Sequence, residues 1–152
     1  MYKRQIDYIV VNHVEMDHSS SLPIIAKLAK NARIFASVRG KGALIDHYGK
    51  DFERVENVKT GDELKVGKKT LRFVEAPMLH WPDSMFTYIV EDKILMSNDT
   101  FGQHLASSSR FDDQVDPHVL MDEATIYYAN ILMPLAPLIT RKIQEVLSLI
   151  HI

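Results

Sequence analysis

The stretch that most constrains the fold is residues 12–18, where four metal-capable side chains fall within six residues. They are His13, Glu15, Asp17 and His18. An apolar run at residues 6–11 leads into this stretch, and its β-branched residues predict a buried strand that ends at a polar turn. In an extended backbone alternate residues share one face, so the first three side chains would point the same way and a turn would bring His18 round. The sequence therefore predicts a rigid strand that carries a ligand loop at its end.

Clustered carboxylates and imidazoles indicate a metal site. Burying two carboxylates and two imidazoles costs several kcal/mol unless something pairs with them, and no lysine or arginine lies nearby in the sequence. A single histidine at a strand end is more often a surface residue than a ligand, but four grouped donors are a different case. Imidazole with carboxylate, in a chain without cysteine, suits iron, manganese or zinc rather than an iron–sulfur cluster.

The composition excludes several other classes of protein. The length of 152 residues is that of one domain. A formal net charge of -2 argues against nucleic-acid binding by bulk charge. No apolar run approaches the roughly eighteen residues of a membrane span, and the first residues lack a signal peptide, so we expect a cytoplasmic protein without a membrane partner. Both ends of the sequence are abrupt, which predicts a fragment of a longer chain.

The pattern along the chain predicts alternating strands and helices, then hairpins, and finally helices. Predicted strands cover residues 33–37 and 52–58, predicted hairpins cover 64–75 and 85–97, and predicted helices cover 22–30, 41–48, 117–133 and 139–150. This order of elements is typical of an α/β or α+β sandwich.

Two later loops at predicted strand ends carry further metal-capable groups, His80 and Asp99. Loops held by a rigid sheet are where functional sites usually lie. Trp81 and Phe101 flank these residues, and we expect them to form walls of the site rather than to take part in chemistry. His104 follows Asp99 closely, and we expect it to lie on the surface or behind a ligand.

These residues carry a resemblance to the metallo-β-lactamase superfamily, in which a histidine-rich motif, a later histidine and a bridging aspartate gather at one edge of a sandwich. The usual hydrolase motif is H-x-H-x-D-H, whereas this chain has H-x-E-x-D-H with Glu15 in second place. With His80 sixty-two residues after His18 and Asp99 nineteen after His80, the pattern resembles the flavodiiron proteins. The segments NHVEMDHSSSLP, LHWPDSMFTY, SNDTFGQHLASSSRFDDQ and YYANILMPLAPLITRKIQ are similar to that family as well.

The resemblance implies an α+β fold, a metallo-β-lactamase-like αββα sandwich that is incomplete at both ends. Residues 1–152 would be the central part of a diiron domain, without the flavodoxin-like domain that holds FMN. The family reduces dioxygen to water or nitric oxide to nitrous oxide, with electrons from a rubredoxin-like or other donor, as a homodimer or tetramer.

The resemblance also implies a ligand set for two iron ions. One iron would be held by His13, Glu15, His80 and Asp99. The other would be held by Asp17 and His18, with Asp99 bridging the two. We expect no catalytic residue beyond these ligands.

Departures from the family pattern leave alternatives open. The family has one more histidine ligand downstream of Asp99, and neither His118 nor His151 fits that role. Ser20 stands where the family usually has glycine. A zinc hydrolase of the thioesterase type is the main alternative, and a metal-free remnant is the third. Glu15 separates the first two, because a hydrolase would normally have histidine there.

Overall fold

Two β-sheets form the centre of the computed structural model, which describes residues 6–150. Three parallel strands, in the order β1-β2-β3, make the first sheet: β1 (Tyr8–Val11), β2 (Arg33–Ala36) and β3 (Glu56–Asn57). Four antiparallel strands, in the order β4-β5-β6-β7, make the second: β4 (Glu63–Val66), β5 (Lys69–Glu75), β6 (Met85–Ile89) and β7 (Ile94–Met96).

Five α-helices surround the sheets: α1 (Met16–Ser19), α2 (Leu22–Leu28), α3 (Val38–Tyr48), α4 (Pro117–Tyr127) and α5 (Ala136–Ile150). The Ser37 hydroxyl caps α3 by accepting a hydrogen bond from the Gly40 amide. Gly49 ends the same helix at a φ of 88°, which glycine adopts at little cost. In the part of the chain that the structure describes, no helix is long and apolar enough to span a bilayer.

Apolar side chains point alternately to the two faces of each strand and form three buried layers. In β2, Ile34 and Ala36 face the cluster that includes Leu44 of α3, whereas Phe35 faces the other sheet. In β5, Phe73 faces the first sheet, and its neighbour Val74 faces α4 and α5. Successive side chains of a strand point to opposite faces, so each sheet buries both of its faces. The layers are therefore helix, sheet, sheet and helix, and the predicted αββα class is confirmed.

The prediction of a strand at residues 52–58 was wrong over most of its length. Lys50–Arg54 is a 3₁₀-helix, and only Glu56–Asn57 pairs as a strand. Phe52 and Val55 are both buried in the cluster beneath α3. Residues three apart lie on one side of a 3₁₀-helix, so this turn buries both side chains on the helix layer.

The predicted helix ends also shifted. The helix expected at residues 41–48 begins earlier, at Val38, because Ser37 caps it. The helix expected at 117–133 ends at Tyr127. A short π-helix (Tyr128–Leu132) and a short 3₁₀-helix (Met133–Leu135) follow it. The last helix begins at Ala136, since Pro137 fits a first turn, where no amide donor is needed.

The layer between the two sheets yields a prediction about stability. Phe73 is 1% exposed there and its ring lies 6.4 Å from that of Phe35. We expect Phe73→Ala to lower the free energy of unfolding by about 3–5 kcal/mol, because it leaves a cavity. Urea unfolding at constant m-value measures the loss. Phe111→Ala is the matched control, since that ring is 57% exposed and its removal should cost less than about 0.5 kcal/mol. Equal losses in the two variants would contradict the layer assignment.

Candidate metal centre

His13 is the most deeply placed of the predicted ligands, at 2% exposure just beyond the end of β1. Its Nδ1 lies 3.0 Å from Oδ2 of Asp83, which also accepts a hydrogen bond of 2.7 Å from the Val14 amide. An Nδ1–H that donates to Asp83 leaves Nε2 as the ligand atom. That Nε2 faces two carboxylates, with Oε2 of Glu15 at 3.2 Å and Oδ2 of Asp99 at 3.4 Å.

Asp99 contacts histidines from three separate segments. Its Oδ2 lies 3.4 Å from Nε2 of His13 and 3.4 Å from Nε2 of His80. Nε2 of His18 lies 3.0 Å from Oδ1 and 3.1 Å from Oδ2 of the same carboxylate. The short 3₁₀-helix Asn98–Phe101, which follows β7, presents this carboxylate. One carboxylate thus faces the Nε2 atoms of three imidazoles, and its role as a bridging ligand stays a prediction.

Four of the predicted ligands form one tight group. His13, Glu15, His80 and Asp99 each offer one ligand atom, and these atoms lie within 4.8 Å of one another. Glu15 closes the group, since its Oε2 is 3.6 Å from Nε2 of His80. Two imidazole nitrogens and two carboxylate oxygens around one point suit iron, manganese or zinc. The donors therefore fit an ion of that kind, and their role as ligands stays a prediction.

Asp17 and His18 lie on the helical turn α1 rather than on a strand face. The predicted extended spacing of His13, Glu15 and Asp17 was wrong, because the Glu15 carbonyl accepts hydrogen bonds from the amides of His18 and Ser19 and starts a helix there. The turn still brings His18 to Asp99, as expected. The Asp17 carboxylate is 72% exposed and lies 3.5 Å from Nε2 of His18, at the rim of the group.

The His13–Asp83 pair carries opposite pKa shifts. Burial alone would lower the pKa of His13, but the hydrogen bond and charge of Asp83, with contributions from Glu15 and Asp99, raise it above its ordinary value. Burial alone would raise the pKa of Asp83, but the hydrogen bond and charge of His13 and the Val14 amide lower it. His13 without metal therefore keeps its proton to higher pH than a free imidazole, and a metal at Nε2 would compete with that proton.

Tyr127 of α4 lies within electrostatic reach of the same carboxylates. Burial, followed by the charges of Asp99, Glu15 and Asp17, raises the pKa of its hydroxyl to about 12. The ring packs on Gly102, where an added Cβ would lie 2.8 Å from its Cζ, so a larger residue at that position would displace it. Tyr127 is therefore a neutral hydroxyl at ordinary pH.

Trp81 lines the candidate site, as expected, and its ring meets the His13 ring edge-on, with 5.4 Å between centroids. Phe101 packs instead against Phe86, with 6.4 Å between ring centroids, and is 45% exposed, so its place as a wall of the site stays a prediction. His104 is exposed and lies edge-on to Tyr127 at 5.0 Å.

Sequence reasoning missed Asp83 and Tyr127. Asp83 lies in the same loop as His80, so its place in an HWPD segment was a usable signal. No local pattern marks Tyr127, because α4 is distant in sequence and only the fold brings it near. The two later histidines that were left without a role stay so: His118 is exposed in the first turn of α4, and His151 lies outside the described residues.

Comparison with known proteins places this arrangement in a family. The chain is 51% identical to a nitric oxide reductase of Moorella thermoacetica, over 93% of this chain and 36% of that protein. It is 46% identical to an anaerobic nitric oxide reductase flavorubredoxin of Vibrio vulnificus, over 95% of this chain and 30% of that protein. The chain thus spans about a third of the length of these relatives.

Solved structures agree with the sequence relatives. Rubredoxin oxygen:oxidoreductase of Desulfovibrio gigas matches with a TM-score of 0.89 and 41% identity, over 94% of this chain and 36% of that one. The flavodiiron protein of Giardia intestinalis matches with a TM-score of 0.85 and 43% identity, over 94% of this chain and 35% of that one. The resemblance to flavodiiron proteins is therefore confirmed. The family described as ODP family beta lactamase matches residues 1–149, and the chain belongs to it.

Proposed function

We propose that this chain forms the diiron centre of an oxidoreductase that reduces nitric oxide to nitrous oxide, dioxygen to water, or both. The observation that carries the proposal is the convergence of His13, Glu15, His80 and Asp99 within 4.8 Å. Relatives bearing the names nitric oxide reductase and rubredoxin oxygen:oxidoreductase support the choice of substrates.

The residues would divide between two iron ions. His13, Glu15, His80 and Asp99 would hold the first ion, and Asp17 and His18 would hold the second together with Asp99. When bound, the two ions supply electrons in pairs to a small oxidant. Asp83 holds His13 in the tautomer that exposes Nε2. Trp81 packs edge-on against the ring of His13, which is 2% exposed.

Electrons would reach the irons through FMN on a flavodoxin-like domain, fed by a rubredoxin-like or other donor. The names of two relatives, rubredoxin oxygen:oxidoreductase and coenzyme F420H(2) oxidase of Methanothermobacter marburgensis, support donors of this kind. In the longer protein, the flavin of one subunit would serve the irons of its neighbour in a homodimer or tetramer.

The zinc hydrolase alternative is weaker because of Glu15. Its carboxylate lies against Nε2 of His13 and within 3.6 Å of Nε2 of His80. A carboxylate is a harder donor than imidazole and adds negative charge, which favours the oxidised state of iron.

Substitution of Glu15 tests the choice of metal. We expect Glu15→His to lower the iron-to-zinc ratio of protein purified from cells supplied with both metals, because imidazole replaces a hard anionic donor. Elemental analysis after anaerobic purification measures the ratio. Glu53→His is the control, since Glu53 is exposed on the 3₁₀-helix beneath α3. An unchanged ratio in the Glu15 variant would count against the proposal.

Removing the charge of Asp83 tests how His13 is held. Asp83→Asn should weaken metal binding by about 10–100-fold, as is typical when the partner of a ligating histidine is lost. Competition with a chelator at fixed pH measures the affinity. Asp46→Asn on the exposed side of α3 is the control. Equal affinities in the two variants would show that Asp83 does not orient the ligand.

Turnover should depend on the flavin. We expect this chain alone to show no sustained nitric oxide consumption with reduced nicotinamide and a donor protein, because the proposal places the FMN that passes electrons to the irons on a separate flavodoxin-like domain. A longer version with the preceding strands, the later histidine and the flavodoxin-like domain should consume nitric oxide. An anaerobic electrode assay at equal iron content compares the two, and equal rates would refute this division of roles.

A further inference from the structure

Asn98 precedes Asp99 and has an unusual backbone conformation. Its φ is 45°, in the left-handed region that non-glycine residues enter uncommonly and asparagine more readily than most. The chain leaves β7 at this point and enters the 3₁₀-helix that presents Asp99. The left-handed turn thus lies between the end of a strand and a candidate bridging ligand.

The side chain of Asn98 makes two hydrogen bonds there. Its Nδ2 donates to the Met85 carbonyl at 2.8 Å, and its Oδ1 accepts from the Asp99 amide at 2.7 Å. The ladder between β6 and β7 pairs Thr87 with Met96, so the same register continued would place Met85 opposite Asn98. The side-chain amide of Asn98 therefore donates to the Met85 carbonyl at the position where a continued β6–β7 ladder would have a backbone hydrogen bond.

The backbone of Met85 also contacts the first ligand loop. Its amide donates to the Asn12 carbonyl at 2.9 Å, and Asn12 directly precedes His13. The Asn12 side chain accepts from the Thr87 hydroxyl at 2.7 Å and donates to the Met96 carbonyl at 3.3 Å. One residue at the start of β6 thus contacts, through its amide and its carbonyl, the residues that precede two candidate ligands.

From these contacts we propose that Asn98 is a positioning residue, whose amide joins the Met85 carbonyl to the Asp99 amide and so aims the Asp99 carboxylate at His13, His18 and His80. The expected effect on metal binding rests on the proposed metal centre, whereas the hydrogen bonds of Asn98 are present in the metal-free chain. Asn98 has two separable properties: it tolerates the left-handed backbone, and its side-chain amide bridges the Met85 carbonyl and the Asp99 amide.

Two substitutions distinguish these roles. Asn98→Gly keeps the left-handed conformation at little cost and removes both hydrogen bonds. Asn98→Ala removes both hydrogen bonds and also strains the backbone. Lys93→Gly is the matched control, because Lys93 is exposed in the turn between β6 and β7 and has a φ of 56°.

Metal binding is the first measurement. Co²⁺ titration, with its visible absorption bands and chelator competition, should show that both Asn98 variants bind about 10–100-fold more weakly than the parent, as for other residues that orient ligands. Lys93→Gly should bind like the parent. If Asn98→Gly binds normally and only Asn98→Ala is impaired, the backbone conformation alone matters and the proposal is overturned.

The second measurement is of the imidazole NMR resonances of the metal-free chain. Its result does not depend on whether the proposed function is correct. We expect Asn98→Gly to shift the ring signals of His13, His18 and His80, while the urea midpoint stays near that of Lys93→Gly. Unchanged ring signals would overturn the proposal. If the parent chain bound no Co²⁺ while the ring signals shifted, the proposed metal centre would be wrong and the role of Asn98 would stand.

Discussion

The contact on which this site depends is that of one carboxylate, Asp99, with the Nε2 atoms of three histidines. These histidines come from three segments: the loop after β1, the helical turn α1, and the loop between β5 and β6. The loop after β1 runs directly into α1, whereas His80 and Asp99 lie in loops of the second sheet, so the sandwich brings these two groups together. The site therefore depends on the packing of the two sheets.

The two sheets meet where the ligand loops begin. Met85 lies in the layer between the sheets and is fully buried, and its amide bonds to the Asn12 carbonyl. Asp83, two residues earlier, accepts from His13 and from the Val14 amide. The Asp83 carbonyl in turn accepts from the Ser37 hydroxyl, which also caps α3. The start of β6 thus connects both sheets, one helix and two ligand loops, and ligands held in this way need little reorganisation to bind a metal.

The sequence predicted the parts of this structure that have a short-range signal. Strand β1, the hairpins and the strand-end positions of His80 and Asp99 follow from hydrophobic alternation and turn residues. The 3₁₀-helix at Phe52 could not be predicted in this way, because burial beneath α3 outweighs a local pattern that reads as strand. The helical turn at Asp17 depends on the Glu15 carbonyl, and a four-residue helix has no period to recognise.

Contacts between segments distant in sequence give weak signals in the sequence. Asp83 and His13 are seventy residues apart, and only the short HWPD segment pointed to Asp83. Tyr127 became visible only in the fold, where burial first, and then the charges of Asp99, Glu15 and Asp17, raise the pKa of its hydroxyl. Resemblance to a family supplied the candidate ligands, but it said nothing of Asn98, whose importance is read from a φ value and two hydrogen bonds.

The negative charge of the candidate site also favours a bound metal ion. Glu15, Asp17 and Asp99 place three carboxylates around three imidazoles, and none of the salt bridges formed by the described lysines and arginines involves these carboxylates. Burial lowers the pKa of His13 and raises that of Tyr127, and in both cases nearby carboxylates add an upward shift. Divalent cations would offset this negative charge and accept the lone pairs of the imidazoles at the same time. Glu15 adds to the negative charge where a hydrolase would have a neutral imidazole. This supports the proposed choice of iron over zinc, because iron gains positive charge on oxidation and zinc does not.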